Sequence, residues 1–470
     1  MNRLLAMMAA LVLAATCWGQ TRPPSDWLVI HDVTVIDATG APAEAHRSVI
    51  VGDHRIVGIV SSAELEKTSP KLAATWIDGR GKFLIPGLWD MHVHMVFGDW
   101  FPQGREITLP LLLANGITGV RDMGGELEVL EHWRQEISEG RLLGPRLVMA
   151  GPMLDGPKPR FPSSIAIRTA EDGRRAVDDL KRRGADFIKL QSLVPRDAVF
   201  AIADESRRQA MTLVGHVPDA VRASEMSNAG QKSFEHLIGI FEGSSPLEDQ
   251  FITGTKTERE FLSTYDPERA QKLFELLARN QTWQCPTLVW ERGGNLIEET
   301  DFAHDPRARY VPRYWTDVTW RRFTEQVTHE FNTDDLATRK RFVAKELEVV
   351  NGMHRAGIPF LAGTDTPSGV YIFPGFSLHE ELQRFVAAGF TPMAALQTAT
   401  LNPARFLGKE KELGTIAPGK WADLVLLDRN PLDNIANTQK IAAVIVNGRY
   451  LSRAELDKML AGVVAAANRK

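Results

Sequence analysis

The feature that most restricts what this chain can fold into is an alternation. Short apolar runs occur at residues 83–89, 119–122, 146–150, 187–191, 212–217, 232–236, 282–289 and 360–364. Helical patterns lie between them, at 126–139, 169–183, 196–209, 267–280 and 336–355. Eight strands alternating with helices over roughly 320 residues predict an α/β fold, a (β/α)₈ barrel with insertions. A doubly wound open sheet is the alternative, but no Gly-rich phosphate loop follows the first strand. The chain, at 470 residues, is long enough for a core of that size.

The two ends read differently. Residues 27–37 and 48–60 are Val- and Ile-rich, with turn signals at Gly40, Pro42, Gly52 and Gly58. Residues 422–427 and 441–446 have the same character, separated by Asn430-Pro431 and closed by Asn447-Gly448. These predict one small β-sandwich assembled from both ends, 20–85 with 410–452, around a barrel of 86–409. The stretch 453–470 reads as a closing helix with Leu456, Met459, Leu460 and Val463 on one side. Two insertions follow the sixth and seventh strands, at 239–266 and 291–335, on the side where long loops build a pocket or its lid. No internal repeat or low-complexity tract is present.

Residues 1–19 read as an export signal. Arg3 is followed by the apolar stretch from Leu4 to Ala15, and small residues Cys17 and Gly19 precede Gln20. Those twelve apolar residues cannot span about 30 Å of hydrocarbon, so no membrane anchoring is expected once the signal is removed. A lipid-modified Cys17 is the alternative left open. The mature chain is therefore expected in the periplasm or secreted. Removal of Cys17 leaves Cys285 alone, so stability must come from packing or metals rather than disulfides. A net charge of −4 argues against nucleic acid as partner and leaves a small-molecule substrate. A homo-oligomer is neither required nor excluded.

Chemistry-bearing residues fall at strand ends. His92 and His94 are two apart on the first strand, so both imidazoles share one face. Lys189 ends the fourth strand, His216 the fifth, His236 the sixth and Asp365 the eighth. Each has a bland reading: a surface lysine in a salt bridge, a packed core histidine, a histidine paired with a carboxylate, a helix N-cap. Six ligand-type residues at the C-terminal ends of five strands instead converge on the face where barrel enzymes keep their sites.

This set resembles the amidohydrolase superfamily, in the branch of imidazolonepropionase-like and prolidase-like enzymes. The resemblance covers nearly the whole mature chain. It includes His92-x-His94, Gly116-Ile117-Thr118-Gly119-Val120-Arg121-Asp122-Met123-Gly124-Gly125, and Gly230 through Glu235-His236-Leu237. Gly363-Thr364-Asp365, Thr400-Leu401-Asn402-Pro403-Ala404 and the run from Leu413 to Leu424 continue it. The resemblance implies two divalent metal ions, zinc first among the candidates, with manganese or cobalt as alternatives. His92, His94 and Asp365 would hold one, His216 and His236 the other, and Lys189 would bridge both as N6-carboxylysine. Where mononuclear members carry a glutamate, three residues after the strand-five histidine, this chain has Asp219. That departure, with lysine on strand four, favours the two-metal, peptidase-like branch.

The implied reaction is hydrolysis of an amide in a dipeptide or N-acyl amino acid by a hydroxide held between two ions, with Asp365 as general acid and base. Arg160, Lys158, Arg292 or Arg313 could receive an acidic end of the substrate. Competing readings are a cyclic amide, lactone or phosphoester on the same centre, or a metal-free relative serving as a binding module.

Overall fold

The alternation takes the form of parallel strands joined by helices. In the computed structural model the described residues are 27–69, 72–161, 163–253, 257–299, 301, 304–331 and 334–469, so the expected signal and Cys17 lie outside them. Leu88–Val93, Ile117–Asp122 and Arg146–Met149 form one parallel sheet. Leu154–Asp155, Ile165–Ala166, Phe187–Leu190, Thr212–Gly215, Ser233–Glu235 and Trp283–Cys285 form a second. Main-chain bonds continue past both edges. Asp186 N–H donates to the Met149 carbonyl at 2.9 Å, Gln284 to Pro359 at 3.0 Å, and Met91 to Ala362 at 2.8 Å. The fold is mixed α/β with parallel sheets.

Three expected strands differ in extent, each for a local reason. Residues 83–89 split at Gly87: Phe83–Pro86 pairs antiparallel with Leu424–Leu427, and Leu88–Val93 opens the parallel sheet. A Cβ at Gly87 would lie 2.0 Å from the Thr118 hydroxyl, so only glycine lets the chain turn this corner. The run 282–289 ends as a strand at Cys285. Glu381 then accepts the Leu288 and Val289 N–H groups at 3.0 and 2.9 Å, which starts the helix Leu288–Asn295. The run 360–364 is held by single bridges, Gln284 with Phe360 and Val93 with Thr366. Thr364 and Asp365 both donate to the His92 carbonyl, at 3.3 and 2.7 Å, and Asp90 also takes the Thr364 N–H. No regular ladder can form there.

The helices follow their sequence signals. Ala170–Arg182 is capped by Thr169, whose hydroxyl accepts from Asp172 N–H at 3.1 Å while Asp172 accepts from Thr169 N–H. Its buried Gly173, Ala176, Val177 and Leu180 keep helical spacing, and Gly173 lets Ile202 of Arg196–Arg208 approach closely.

Strands from both ends of the chain form one eight-stranded sheet. Its order runs Arg449–Ser452, Ile441–Val446, Leu424–Leu427, Phe83–Pro86, Leu28–Val35, Glu44–Gly52, Arg55–Ser61, with Thr75–Asp78 also paired to Leu28–Val35. Leu424 and Leu426 pack with Ile30, Val33 and Ile445, whereas Val425 and Leu427 face the main core beside Ile85, Leu88 and Ile117. Burial on both faces explains the unbroken apolar run, and each such side chain contributes about 1.5–3 kcal/mol. Ser452 caps the last helix, Arg453–Ala467, which buries Leu456 and Val463. The two insertions carry short helices rather than open loops. Trp315 and Trp320 of the second are buried against Phe97, Phe101 and Phe373. Among the described residues no helix is long and apolar enough to cross a membrane.

Candidate active site

Strand geometry places the first two candidates. His92 lies within Leu88–Val93 and His94 just beyond it, so the two point the same way, with buried Asp90 below them. Lys189 lies within Phe187–Leu190. His216 and His236 each follow directly on a strand end, and Asp365 follows the irregular 360–364 segment. His236 and Asp365 have positive φ, 61° and 62°, a backbone state uncommon for such residues, which re-aims each side chain as its strand ends.

Asp365 is the hub. His94 Nε2 lies 3.1 Å and His92 Nε2 3.5 Å from its Oδ1, and His236 Nε2 lies 4.0 Å from its Oδ2. The His236 ring is 4.7 Å from His92 and 5.0 Å, edge-on, from His216. Ligand atoms of His92, His94 and Asp365 all fall within 4.8 Å of one another. Lys189 is buried, and its charge acts on His92, His216 and His236. Its stem lies over Gly215, where a Cβ would come within 2.9 Å of the lysine Cδ. All six candidates therefore meet in one place. The bland readings of Lys189 and Asp365 do not hold: the lysine is not at the surface, and the next helix after Asp365 begins at Phe376.

The four imidazoles are oriented by a common device. Nδ1 of His92 meets Glu235 at 2.9 Å, that of His94 the Gly124 carbonyl at 2.7 Å, that of His216 Ser192 Oγ at 2.8 Å, and that of His236 Thr287 Oγ1 at 2.6 Å. A carbonyl or carboxylate only accepts, so His92 and His94 donate through Nδ1 and keep the Nε2 lone pair for the centre. Burial holds the imidazolium forms of His92, His216 and His236 down, to about 4 for His92 and about 3 for His236. For His94 burial works the same way, but Asp365 outweighs it and raises the pKa. His92, His216 and His236 are thus set to be neutral donors to a cation.

Lys189 is a buried amine left unpaired beside these oriented rings. Its Nζ has no hydrogen-bond partner among the described residues, and burial lowers its pKa to about 8. His92 Nε2 also has no hydrogen-bond partner. Two orphaned buried nitrogens beside a carboxylate fit a group that accepts their lone pairs. Glu235, by contrast, is fully used. Arg121 contacts it at 2.9 and 3.0 Å, Ser233 Oγ donates at 2.6 Å, and its carboxyl is held well below the usual range as Arg121 and His92 outweigh burial. His92, Glu235 and Cys285 also lie close enough together to hold an ion, but Arg121 already neutralises that carboxylate.

Glu235, Arg121, Ser192 and Thr287 are not among the six candidates that stand out in the sequence. Glu235 and Arg121 stood inside quoted motifs, and the available signal was a pair of opposite charges on strands with otherwise apolar faces.

A model of the amidohydrolase family matches residues 83–451. Ochratoxinase from Aspergillus niger is 24% identical over 478 residues, covering 88% of this chain and 84% of its own. Among solved structures, bottromycin amidohydrolase superposes with a TM-score of 0.70 at 22% identity, over 95% of this chain and 91% of its own. A Xaa-Pro dipeptidase with methionine bound in its active site gives 0.67 at 20% identity, over 91% and 100%. With the family model spanning most of its length, the chain belongs to the amidohydrolase family and is a hydrolase of carbon–nitrogen bonds.

Proposed function

We propose that the chain hydrolyses the amide of a dipeptide or N-acyl amino acid at a two-metal centre. The centre sits at the C-terminal mouth of a (β/α)₈ barrel, and the terminal strands form a β-sandwich beside it. Main-chain bonds across the edges of the two parallel sheets support closure, and the forked pairing of Leu28–Val35 supports the sandwich. The observation that carries the functional reading is Lys189, a buried amine without a partner among four oriented histidines and Asp365. Deprotonated, it can add CO₂ and become a carbamate, and its lowered pKa makes the neutral amine accessible near pH 8.

His92, His94 and Asp365 would hold one divalent ion, His216 and His236 a second, with carboxylated Lys189 between them. Bound there, zinc-type ions polarise a carbonyl and acidify a water toward neutral pH. Asp365 takes the proton of the attacking water and delivers it to the leaving nitrogen. Neighbouring imidazoles, His94 among them, outweigh burial and hold its carboxyl below the usual range, which favours the accepting form. Ser368 Oγ donates to its Oδ1 at 2.7 Å and fixes its orientation. Similar structures named as an amidohydrolase and a Xaa-Pro dipeptidase support this bond type.

The test is metal content per chain, followed by a dipeptide and N-acyl amino acid panel with and without chelator. About two ions per chain and complete loss of hydrolysis with chelator are expected. Activity that persists without metal ends the reading. Lys189→Ala should be inactive and partly rescued by short carboxylic acids, which replace the carbamate. Wild-type activity in that variant rules out the bridging role.

A further inference from the structure

Thr287 stands at the boundary of the helix Leu288–Asn295, where a threonine ordinarily caps the helix by accepting a first-turn N–H through its own hydroxyl. It does not do so here. Its backbone is left-handed, φ 48° and ψ 50°, an outlying state for a β-branched residue, and its side chain makes no capping bond. The hydroxyl is turned instead to His236 Nδ1, 2.6 Å away. The same segment also holds the His236 backbone, whose N–H donates to the Cys285 carbonyl at 3.2 Å.

The open end of that helix is closed from elsewhere in the chain. Glu381 Oε1 accepts the Leu288 N–H at 3.0 Å, and its Oε2 the Val289 N–H at 2.9 Å. Glu381 is buried on Phe376–Ala387, a helix fixed by Leu378, Leu382 and Phe385 in the core. His379 of the same helix anchors it further, meeting Thr438 Oγ1 at 2.9 Å and the Asn115 carbonyl at 3.1 Å. A buried carboxyl is a costly cap, and burial pushes its pKa up to about 8. The threonine already at the boundary could close the helix at lower cost, were its hydroxyl not engaged. Trp290, in the first turn of the capped helix, has its ring 5.7 Å from that of His236. Displacing the helix start therefore moves two neighbours of one imidazole.

We infer that Glu381 is a positioning residue for His236: it caps the helix in place of Thr287 and so frees the Thr287 hydroxyl to orient the imidazole. The inference rests on the two-metal reading of the centre, in which His236 holds the second ion. With Nδ1 engaged by Thr287, the ring presents Nε2 to the centre, 4.0 Å from Asp365 Oδ2. In Glu381→Gln the amide Nε2 would meet one of the two N–H groups donor to donor. The Thr287 hydroxyl is then the ordinary replacement acceptor, and turning it back to the helix releases the imidazole.

The experiment reads zinc affinity and ring position rather than turnover alone. Zinc held by the full-length, metal-loaded chain is titrated against a chromogenic chelator, and crystal structures of wild type and Glu381→Gln are solved. Glu381→Gln should weaken one of the two ions at least about tenfold and carry the Thr287 hydroxyl away from His236. Thr287→Val, which removes the hydroxyl and leaves Glu381, should weaken the same ion to a similar degree, and Thr287→Ser should rescue it. Both changes cut one link, so the double variant should bind zinc within about threefold of the weaker single variant. A folded Glu381→Gln with wild-type affinity and an unmoved imidazole overturns the inference, as do losses that multiply in the double variant. Where Glu381→Gln does not fold, Glu381→Asp, which draws the carboxylate back by one methylene, takes its place with the same two outcomes. If wild type binds no zinc while the Glu381 variant still swings His236 free of Thr287, the positioning role stands and the two-metal reading falls.

Discussion

Leu424–Leu427 and Phe187–Leu190 are both four-residue strands buried along their whole length, yet they do different things. The first is Leu-Val-Leu-Leu, and each side chain packs into one of two apolar cores. The second is Phe-Ile-Lys-Leu, and its lysine ends in a nitrogen with no hydrogen-bond partner among the described residues. Burying an amine unpaired costs several kcal/mol, where burying a leucine gains about 2. One strand is spent on stability. The other holds an unfavourable group in place, which a folded chain tolerates where that group has work to do.

The widest test of this contrast is Glu235→Gln. It leaves Arg121 charged and uncompensated in the interior and slackens the hold on His92 Nδ1. A loss of about 3–5 kcal/mol in chemical denaturation is expected, with turnover of the folded fraction down about 10–100-fold. A variant as stable and active as wild type would break the link between the interior pair and the site.

Next comes a matched pair in the two strands. Leu426→Ala should cost about 3 kcal/mol while leaving kcat/KM of the folded enzyme unchanged. Lys189→Met should instead raise stability in chelator by about 1–2 kcal/mol and abolish turnover of the metal-loaded enzyme. Destabilisation by Lys189→Met under those conditions would show that the amine is satisfied after all.

The smallest effect is at the surface. Glu225 is paired with Arg196, at 3.0 Å for one of its contacts, and its pKa is lowered to about 2, chiefly by Arg196 against a smaller burial effect. A depressed carboxyl stabilises the fold above its unfolded value of about 4.5 and loses that contribution as pH falls toward 2. Because the pair is partly exposed, Glu225→Gln should cost no more than about 1 kcal/mol at pH 7 and nothing at pH 2. An equal cost at both pH values, read from denaturation midpoints, would assign the effect to packing rather than charge.

Helices were the most legible elements in the sequence. Pro267–Arg279 and Leu336–Arg355 carry their caps, Asp266 and Asp335, and their periodicity within a few residues, so local chemistry suffices to mark them. Strand ends were less legible. The corner at Gly87 is set by Thr118 on the next strand, and the switch to helix at Leu288 by Glu381, which lies far along the chain. The site was half legible for the same reason. His92, His94, Lys189, His216, His236 and Asp365 announce themselves by type and by position at expected strand ends. Ser192 and Thr287 matter only through what they touch.

The sequence by itself determined the kinds of side chain available and the faces of the elements that carry them, since both follow from residue identity and backbone period. Tertiary structure alone decided which of them are orphaned. Whether a nitrogen such as that of Lys189 is solvated, paired or stranded depends on desolvation and on neighbours drawn from distant strands, and no local pattern encodes that.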